Sequence, residues 1–281
     1  MGMPAEFEGT SETIIAADGT PIAFHTTGHG PGVIVIPGAL SVAAGFARFA
    51  RTLGERFTVH IMERRGRGDS GPQGEDYSID TELEDLRALR DKTGATLLVG
   101  HSYGGLIALE AARDPEIRKV AVYEPGVSVN GSMPSNWIPS YEKYLRQDKP
   151  WKAFVQYLRA VGPEGIRRVP KWMLERAMPL AMKAPERDII SSLLWENLRE
   201  HREVIRLDDT YPHYRDITAE VLLMDGDRDR LARDDADRDR IAEVIPHCVR
   251  YTFRGLDHFG IDKNDPALVA ATVAEFLDTP E

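Results

Sequence analysis

Cysteine is almost missing from this chain: Cys248 is the only one among 281 residues. A lone thiol excludes an internal disulfide and any cysteine-based metal cluster. Lying in an apparent strand, Cys248 reads as a small buried hydrophobe. Long hydrophobic runs are missing too, since none reaches the roughly 18 apolar residues of a spanning helix. The opening stretch, MGMPAEFEGTSE, has neither the basic start nor the apolar centre of a secretory leader, so a cytoplasmic location is expected. Positive charge is in deficit, with 35 Lys and Arg against 45 Asp and Glu and a net charge of −10. That balance removes the electrostatic case for nucleic acid or an anionic membrane, and leaves a small-molecule substrate as the expected partner. Internal repeats and low-complexity tracts do not occur.

What is present is ordinary globular composition, 42% hydrophobic and 28% charged. The length suits one large α/β domain, or one domain with an insertion. Thr13–Ala16 and Ile22–Thr26 read as strands joined by an Asp18-Gly19 turn. Val33-Ile34-Val35-Ile36 is a continuous apolar run, the mark of a strand buried on both faces of a parallel sheet. A helix over about 43–53, a strand over 57–62 and a helix ending near Thr93 follow. Further strands are expected at 97–99, 119–123, 220–224 and 249–253, with helices after Ser102, over 234–244 and over 266–277. Alternating strands and helices predict a mostly parallel sheet with helices on both faces. The alternation stops between Gly126 and Thr218, where only helical patterns occur. The expected organisation is therefore an α/β core over 1–125 and 219–281 with an inserted helical cap over 126–218. All four tryptophans (Trp137, Trp151, Trp172, Trp195) fall in that insert, with Met133, Met173, Met178 and Met182. They form the insert's own core or line an apolar pocket; small-molecule pockets are mostly apolar.

The stretch ATLLVGHSYGG, residues 95–105, carries the clearest chemistry. A short apolar strand runs into Gly100-His101-Ser102-Tyr103-Gly104, and a helical pattern follows at once. A serine on so sharp a turn projects its hydroxyl from the end of a sheet, and glycine at both flanks keeps the turn uncrowded. The following helix aims backbone N–H groups and its positive dipole end at the same place. Ser102 is the candidate nucleophile. A serine hydroxyl needs a base, and the base needs an orienting acid. His258 stands in a loop after an expected strand, C-terminal to the serine, and is the candidate base. His29, His60 and His201 fall in a turn, a strand and a helix respectively and read as structural.

Five stretches, VIVIPGAL, ERRGRGDSG, GHSYGG, LLMDGDRDR and LDHFG, make the chain resemble the α/β-hydrolase superfamily over nearly all of its length outside the insert. The resemblance implies the α/β-hydrolase fold and a Ser–Asp–His order along the chain. In such enzymes the acid usually stands three residues after the strand-end glycine, so Gly226 points to Asp229. Glu124, directly after the strand at 120–123, is a rival, because some members carry the acid there. The resemblance also implies an oxyanion hole of two backbone N–H groups, those of Tyr103 and Ala39. Pro37 stands where many members have histidine, and Glu63 where many have aspartate; Arg64 to Gly71 read as structural. The implied reaction is cleavage of a small, largely apolar carboxylic ester through an acyl-enzyme. Lactonases, carbon–carbon hydrolases and perhydrolases share the same triad, and a non-catalytic ligand-binding protein on this scaffold is a reading from another class. A serine nucleophile argues against the haloalkane dehalogenases and epoxide hydrolases. No cofactor and no metal are implied.

Two patterns mimic other sites. Gly66-Arg67-Gly68-Asp69-Ser70-Gly71 matches a dinucleotide fingerprint, but Pro72 to Glu75 continue the loop where a helix should open. Asp225, Asp227 and Asp229 mimic the start of a calcium loop, but Arg230 occupies the position that requires glycine.

Overall fold

The computed structural model describes residues 9–228 and 232–279. In chain order the first elements are β1 (Thr10–Ile15), β2 (Pro21–Gly28), β3 (Gly32–Ile36), α1 (Ala47–Leu53), β4 (Thr58–Met62), α2 (Ile79–Thr93), β5 (Leu97–His101), α3 (Tyr103–Ala111) and β6 (Lys119–Tyr123). The middle segment holds α4 (Ile138–Arg146), α5 (Pro150–Val161), α6 (Glu164–Arg168), α7 (Lys171–Ala181), α8 (Ala184–Ser192) and α9 (Leu194–Arg206). The chain then returns to the sheet with β7 (Glu220–Gly226), α10 (Ala232–Val244), β8 (Cys248–Phe253) and α11 (Pro266–Asp278).

All eight strands form one sheet in the order β1-β2-β4-β3-β5-β6-β7-β8. The β1–β2 and β2–β4 pairs are antiparallel, and β3 to β8 pair in parallel. The α/β reading from the sequence matches this architecture. The central strands are apolar throughout because both sheet faces are covered. Ile34, Leu98, Val120, Val122, Val221 and Leu223 pack on one face with residues of α2, α3 and α10. Their neighbours Val33, Val35, Leu97, Val99, Ala121 and Met224 pack on the other with α1 and α11. This is the period-two alternation of strand side chains.

Local chemistry sets the element ends. Gly19, at φ 85°, closes the β1–β2 turn, and the Thr20 N–H is held by Asp18 Oδ1 at 2.9 Å. Ser78 and Thr81 form a capping box at the start of α2, and Gly94 ends that helix in the left-handed conformation. Pro266 opens α11 with Asp265 accepting from the Leu268 N–H.

Some expectations need correction. The expected helix over 43–53 is a 3₁₀ turn, Ala43–Phe46, followed by α1. Strand β7 runs on through Asp225 to Gly226. Cys248 is half-buried, because β8 is an edge strand whose residues 249–252 face solvent. Between β6 and β7 the described residues form no strand. Helices α4, α5, α8 and α9 bury a cluster of their own around Trp137, Tyr141, Phe154, Leu194 and Leu198. Of the four tryptophans only Trp137 sits fully inside it, while Trp172 is 62% exposed and Met173 41%. Among the described residues no helix is long and apolar enough to cross a membrane.

Candidate active site

Strand β5 delivers Ser102 at its C-terminal end, on the side where open parallel sheets carry their sites. Ser102 has φ 52° and ψ −119°, a sparsely populated conformation for a residue with a side chain. Two close approaches explain the flanking glycines. A Cβ on Gly100 would stand 2.4 Å from the Gly104 carbonyl oxygen, and one on Gly104 2.1 Å from that of Ile36. The strained turn is tied down by its backbone: Ser102 N–H donates to Tyr123 O at 3.0 Å, and Ser102 O accepts from Gly126 N–H at 2.7 Å.

His258 lies between β8 and a π-helical turn at Gly260–Asn264. Its loop is pinned from below by two strand ends that are register partners, His101 of β5 and Tyr123 of β6. His101 Nε2 donates to the His258 carbonyl at 2.8 Å, and the Tyr123 hydroxyl donates to the Asp257 carbonyl at 2.7 Å. The two imidazole rings lie 4.8 Å apart. Because His101 directly precedes Ser102, this bond ties the histidine loop to the serine turn.

The Nδ1 face of His258 meets Glu124 Oε2 at 2.7 Å. Glu124 directly follows β6 and has φ 44°, a left-handed turn that leaves the strand path. Its second oxygen, Oε1, accepts the Gly226 N–H at 3.2 Å, and the Arg238 guanidinium stands 3.9 Å away. The acid favoured from the sequence, Asp229, lies outside the described residues. Its rival Glu124 holds the position on the histidine. Strand order supplies the signal: β6 lies between β5 and β7, so a residue just past β6 stands one strand from Ser102. The other aspartates of the DGDRD stretch are used by the fold. Asp225 is buried against Arg238 and Arg250, and Asp227 Oδ1 accepts the Gly255 N–H at 2.6 Å.

Burial and the ion pair set the protonation states. Burial alone would lower the His258 pKa, but the hydrogen bond and charge of Glu124 outweigh it, and the net shift is upward. Burial likewise works to raise Glu124, but His258, Arg238 and the Gly226 N–H bring it down to about 2. Burial and the neighbouring His258 push His101 down to about 3, so its ring is neutral and donates from Nε2.

Tyr103 is the first residue of α3, where a helix leaves its N–H groups without intrahelical acceptors. Ala39 sits in the loop after β3, with Leu40 beyond it at φ 55°. That loop packs on the serine, since a Cβ on Gly38 would be 3.0 Å from Ser102 Cβ. Ser102, Tyr103, the 38–39 peptide, His258 and Glu124 are thus brought to one end of the sheet. Among the described residues no cluster of three or more His, Cys, Asp or Glu could hold a metal ion. Gly66 and Gly68 form a turn, and α2 begins only at Ile79, so that glycine pattern does not itself open a helix. In the helical segment a cleft of about 380 Å³ is bordered by Pro134, Asn136, Trp137, Gln156, Arg159 and Arg167.

Known proteins share this fold. The model of the alpha/beta hydrolase family matches residues 33–272. An N-formylmaleamate deformylase from Pseudomonas putida is 34% identical over 128 residues, 43% of this chain and 47% of that protein. The match thus spans about half of that relative's length. A 2-(acetamidomethylene)succinate hydrolase from Mesorhizobium japonicum is 25% identical over 270 residues, covering 89% of each chain. The crystal structure of an alpha/beta hydrolase from Sphaerobacter thermophilus superposes with a TM-score of 0.80 at 29% identity, covering 95% of this chain and all of that one. The family model covers most of the chain and the named relatives are hydrolases. The chain belongs to the alpha/beta hydrolase family.

Proposed function

We propose that this protein is a serine hydrolase that cleaves a carboxylic ester or related acyl substrate through an acyl-enzyme. The single observation that carries the reading is the 2.7 Å bond between Glu124 and His258, beside a serine held in a strained turn. Ser102 Oγ attacks the acyl carbonyl carbon, and His258 Nε2 takes its proton. Glu124 keeps the Nδ1 proton in place, which leaves Nε2 free to accept, and stabilises the imidazolium that forms. The N–H groups of Tyr103 and Ala39 hold the developing oxyanion. His258 then protonates the leaving group, and water, activated by the same imidazole, releases the acid and regenerates Ser102. The helical segment acts as a cap over the site, with substrate selection in its side chains.

A second reading concerns the substrate. The relatives' names carry N-formyl and acetamido groups on acids, which supports an anionic N-acyl substrate. Cations that would suit such a substrate stand at a cleft in the helical segment, which the candidate catalytic residues do not border. Arg159 and Arg167 border that cleft, bond only to the Val169 and Ala160 carbonyls, and have no carboxylate partner among the described residues of an acidic chain.

The test is turnover of p-nitrophenyl esters of increasing acyl length, together with N-acyl amino acids, by wild type and by Ser102→Ala. Turnover that disappears in Ser102→Ala supports the serine mechanism, and the preferred series identifies the substrate class. Turnover that survives in Ser102→Ala refutes it.

A further inference from the structure

Arg64 follows β4 and is wholly buried, although a guanidinium is strongly disfavoured away from water unless it is paired. Its partners explain why it is there. Nε donates to the Pro37 carbonyl at 2.9 Å, and Nη2 to the Gly38 carbonyl at 3.0 Å. Nη1 donates to Glu82 Oε1 at 2.7 Å, and Nη2 also stands 3.0 Å from Glu200 Oε1. The guanidinium carbon lies 5.1 Å from the centre of the Tyr103 ring. The Tyr103 hydroxyl bonds Tyr77, which in turn donates to Glu82 Oε1 at 2.8 Å. Arg67, buried as deeply, donates to Ser41 O at 2.9 Å and to Glu200 Oε1 at 2.6 Å.

One guanidinium therefore holds the peptide that carries the Ala39 N–H and packs on the side chain of Tyr103. The geometry of the peptide group gives the contact a direction. In a trans peptide C=O and N–H point opposite ways. With the Gly38 oxygen turned to Arg64, the Ala39 N–H of that same peptide points away from Arg64. A flip of this peptide would break the bond to Arg64 and present a carbonyl oxygen where a donor is needed.

Glu200 belongs to α9, in the segment between β6 and β7, and its side chain is fully buried. The same helix lays Glu196 against Gly66 and lends Glu203 Oε2 to the first N–H of α2 at 2.9 Å. Two arginines and two glutamates close a neutral buried group, Arg64, Arg67, Glu82 and Glu200. Only Glu200 in that group comes from the helical segment.

We propose that Glu200 is a positioning residue: through Arg64 and Arg67 it fixes the Gly38–Ala39 peptide, so that the seating of helix α9 sets the competence of the oxyanion hole. This rests on the serine-hydrolase reading above. Removing one oxyanion donor typically lowers kcat by about 10²–10³. Loosening a donor that is still present should cost less, about 10- to 100-fold.

The experiment measures kcat, KM and inhibition by a trifluoromethyl ketone for wild type, Glu200→Gln and Arg67→Lys, with thermal melts to establish folding. A trifluoromethyl ketone forms a tetrahedral adduct on serine and so reports on the oxyanion hole. Glu200→Gln should lose kcat 10- to 100-fold with KM within about threefold, and inhibitor affinity should fall in step with kcat/KM. Arg67→Lys retains the charge and loses the planar fork, so it should shift both quantities the same way by less. If Glu200→Gln does not fold, Arg67→Lys carries the test alone. A folded variant with unchanged kcat and unchanged inhibitor affinity overturns the proposal while Ser102-dependent turnover of the wild type stands. Wild-type turnover that does not depend on Ser102 overturns the hydrolase reading and the proposal with it.

Discussion

Exchange of one oxygen for one nitrogen in Glu124 should abolish most of the activity, and the structure says why. Glu124 uses both oxygens: Oε2 meets His258 Nδ1 at 2.7 Å, and Oε1 accepts the Gly226 N–H at 3.2 Å. In Glu124→Gln only one atom can accept. If the amide oxygen stays on the Gly226 N–H, the NH₂ group faces Nδ1, and Nδ1 must give up its proton. The ring then carries its hydrogen on Nε2, where it cannot take the proton of Ser102. If the amide is reversed, NH₂ faces a backbone N–H and one bond is lost. Either way the carboxylate that stabilises the imidazolium is gone. A wrong tautomer at a serine–histidine pair costs about 10⁴ in kcat, near 5.5 kcal/mol of barrier. The assay is ester turnover by Glu124→Gln and, in parallel, Asp229→Asn. The expected outcome is a loss of about 10⁴ in the first and a change within about threefold in the second. Near-normal turnover in Glu124→Gln with collapse in Asp229→Asn would refute the reasoning and move the acid to Asp229.

Three further outcomes are expected. The pH profile of kcat/KM should have its acidic limb above the ordinary histidine value, because His258 must be neutral to accept a proton and its pKa is raised; a limb at or below that value would count against the Glu124 pairing. Stability should fall as pH falls from about 6.5 towards 3, because the unfolded chain takes up a proton that buried His101, held down to about 3, does not. The slope should approach about 1.4 kcal/mol per pH unit in that window, and denaturant midpoints of wild type and His101→Asn against pH should show the variant flatter. Gly104→Ala would put a methyl group 2.1 Å from the backbone oxygen of Ile36, an atom on a central strand that cannot yield. Its cost should be about 3 kcal/mol, read as a drop of roughly 5 °C in Tm.

The parts of this molecule legible in its sequence are those set by local patterns. Val33 to Ile36 and Leu97 to Val99 read as doubly buried strands, and the sheet buries both faces of each. Gly100 and Gly104 read as a crowded turn, and the crowding comes from backbone atoms a few residues or one strand away. The contact that brings a carboxylate to His258 is not local. Glu124 and Asp229 both follow strand ends, and the sequence pattern favours the residue past Gly226. What puts Glu124 on His258 is strand order together with the Gly226 N–H, which reaches it from the neighbouring strand across 102 residues, while Asp229 lies outside the described residues. The aromatic insert was legible in part, since Trp137 lies in the core of the helical segment with Trp151, Met178 and Met182 packed against it. Trp172 and Met173 carry the residue types of a core, yet α7 buries none of its side chains fully.

The buried charges were the least legible feature, and the reason is physical. A charged residue read alone belongs at the surface, since burying it unpaired costs several kcal/mol. Arg64, Arg67, Glu82 and Glu200 escape that cost only together, and the Arg67–Glu200 bond spans 133 residues. No window of sequence contains both partners. Such a group is weak evidence for stability, because apolar residues of the same shape often do as well. It is better evidence for orientation. The arginine donors are the atoms that hold the Pro37, Gly38 and Ser41 carbonyls, and an apolar replacement would leave those carbonyls free to turn. A motif that reads as a structural turn, Arg64 to Gly71, therefore connects two distant parts of the chain: the loop that would bind the oxyanion and the helix that carries Glu200. On that argument, exchanging the helical segment between relatives should transfer catalytic competence only when the glutamate of α9 travels with it.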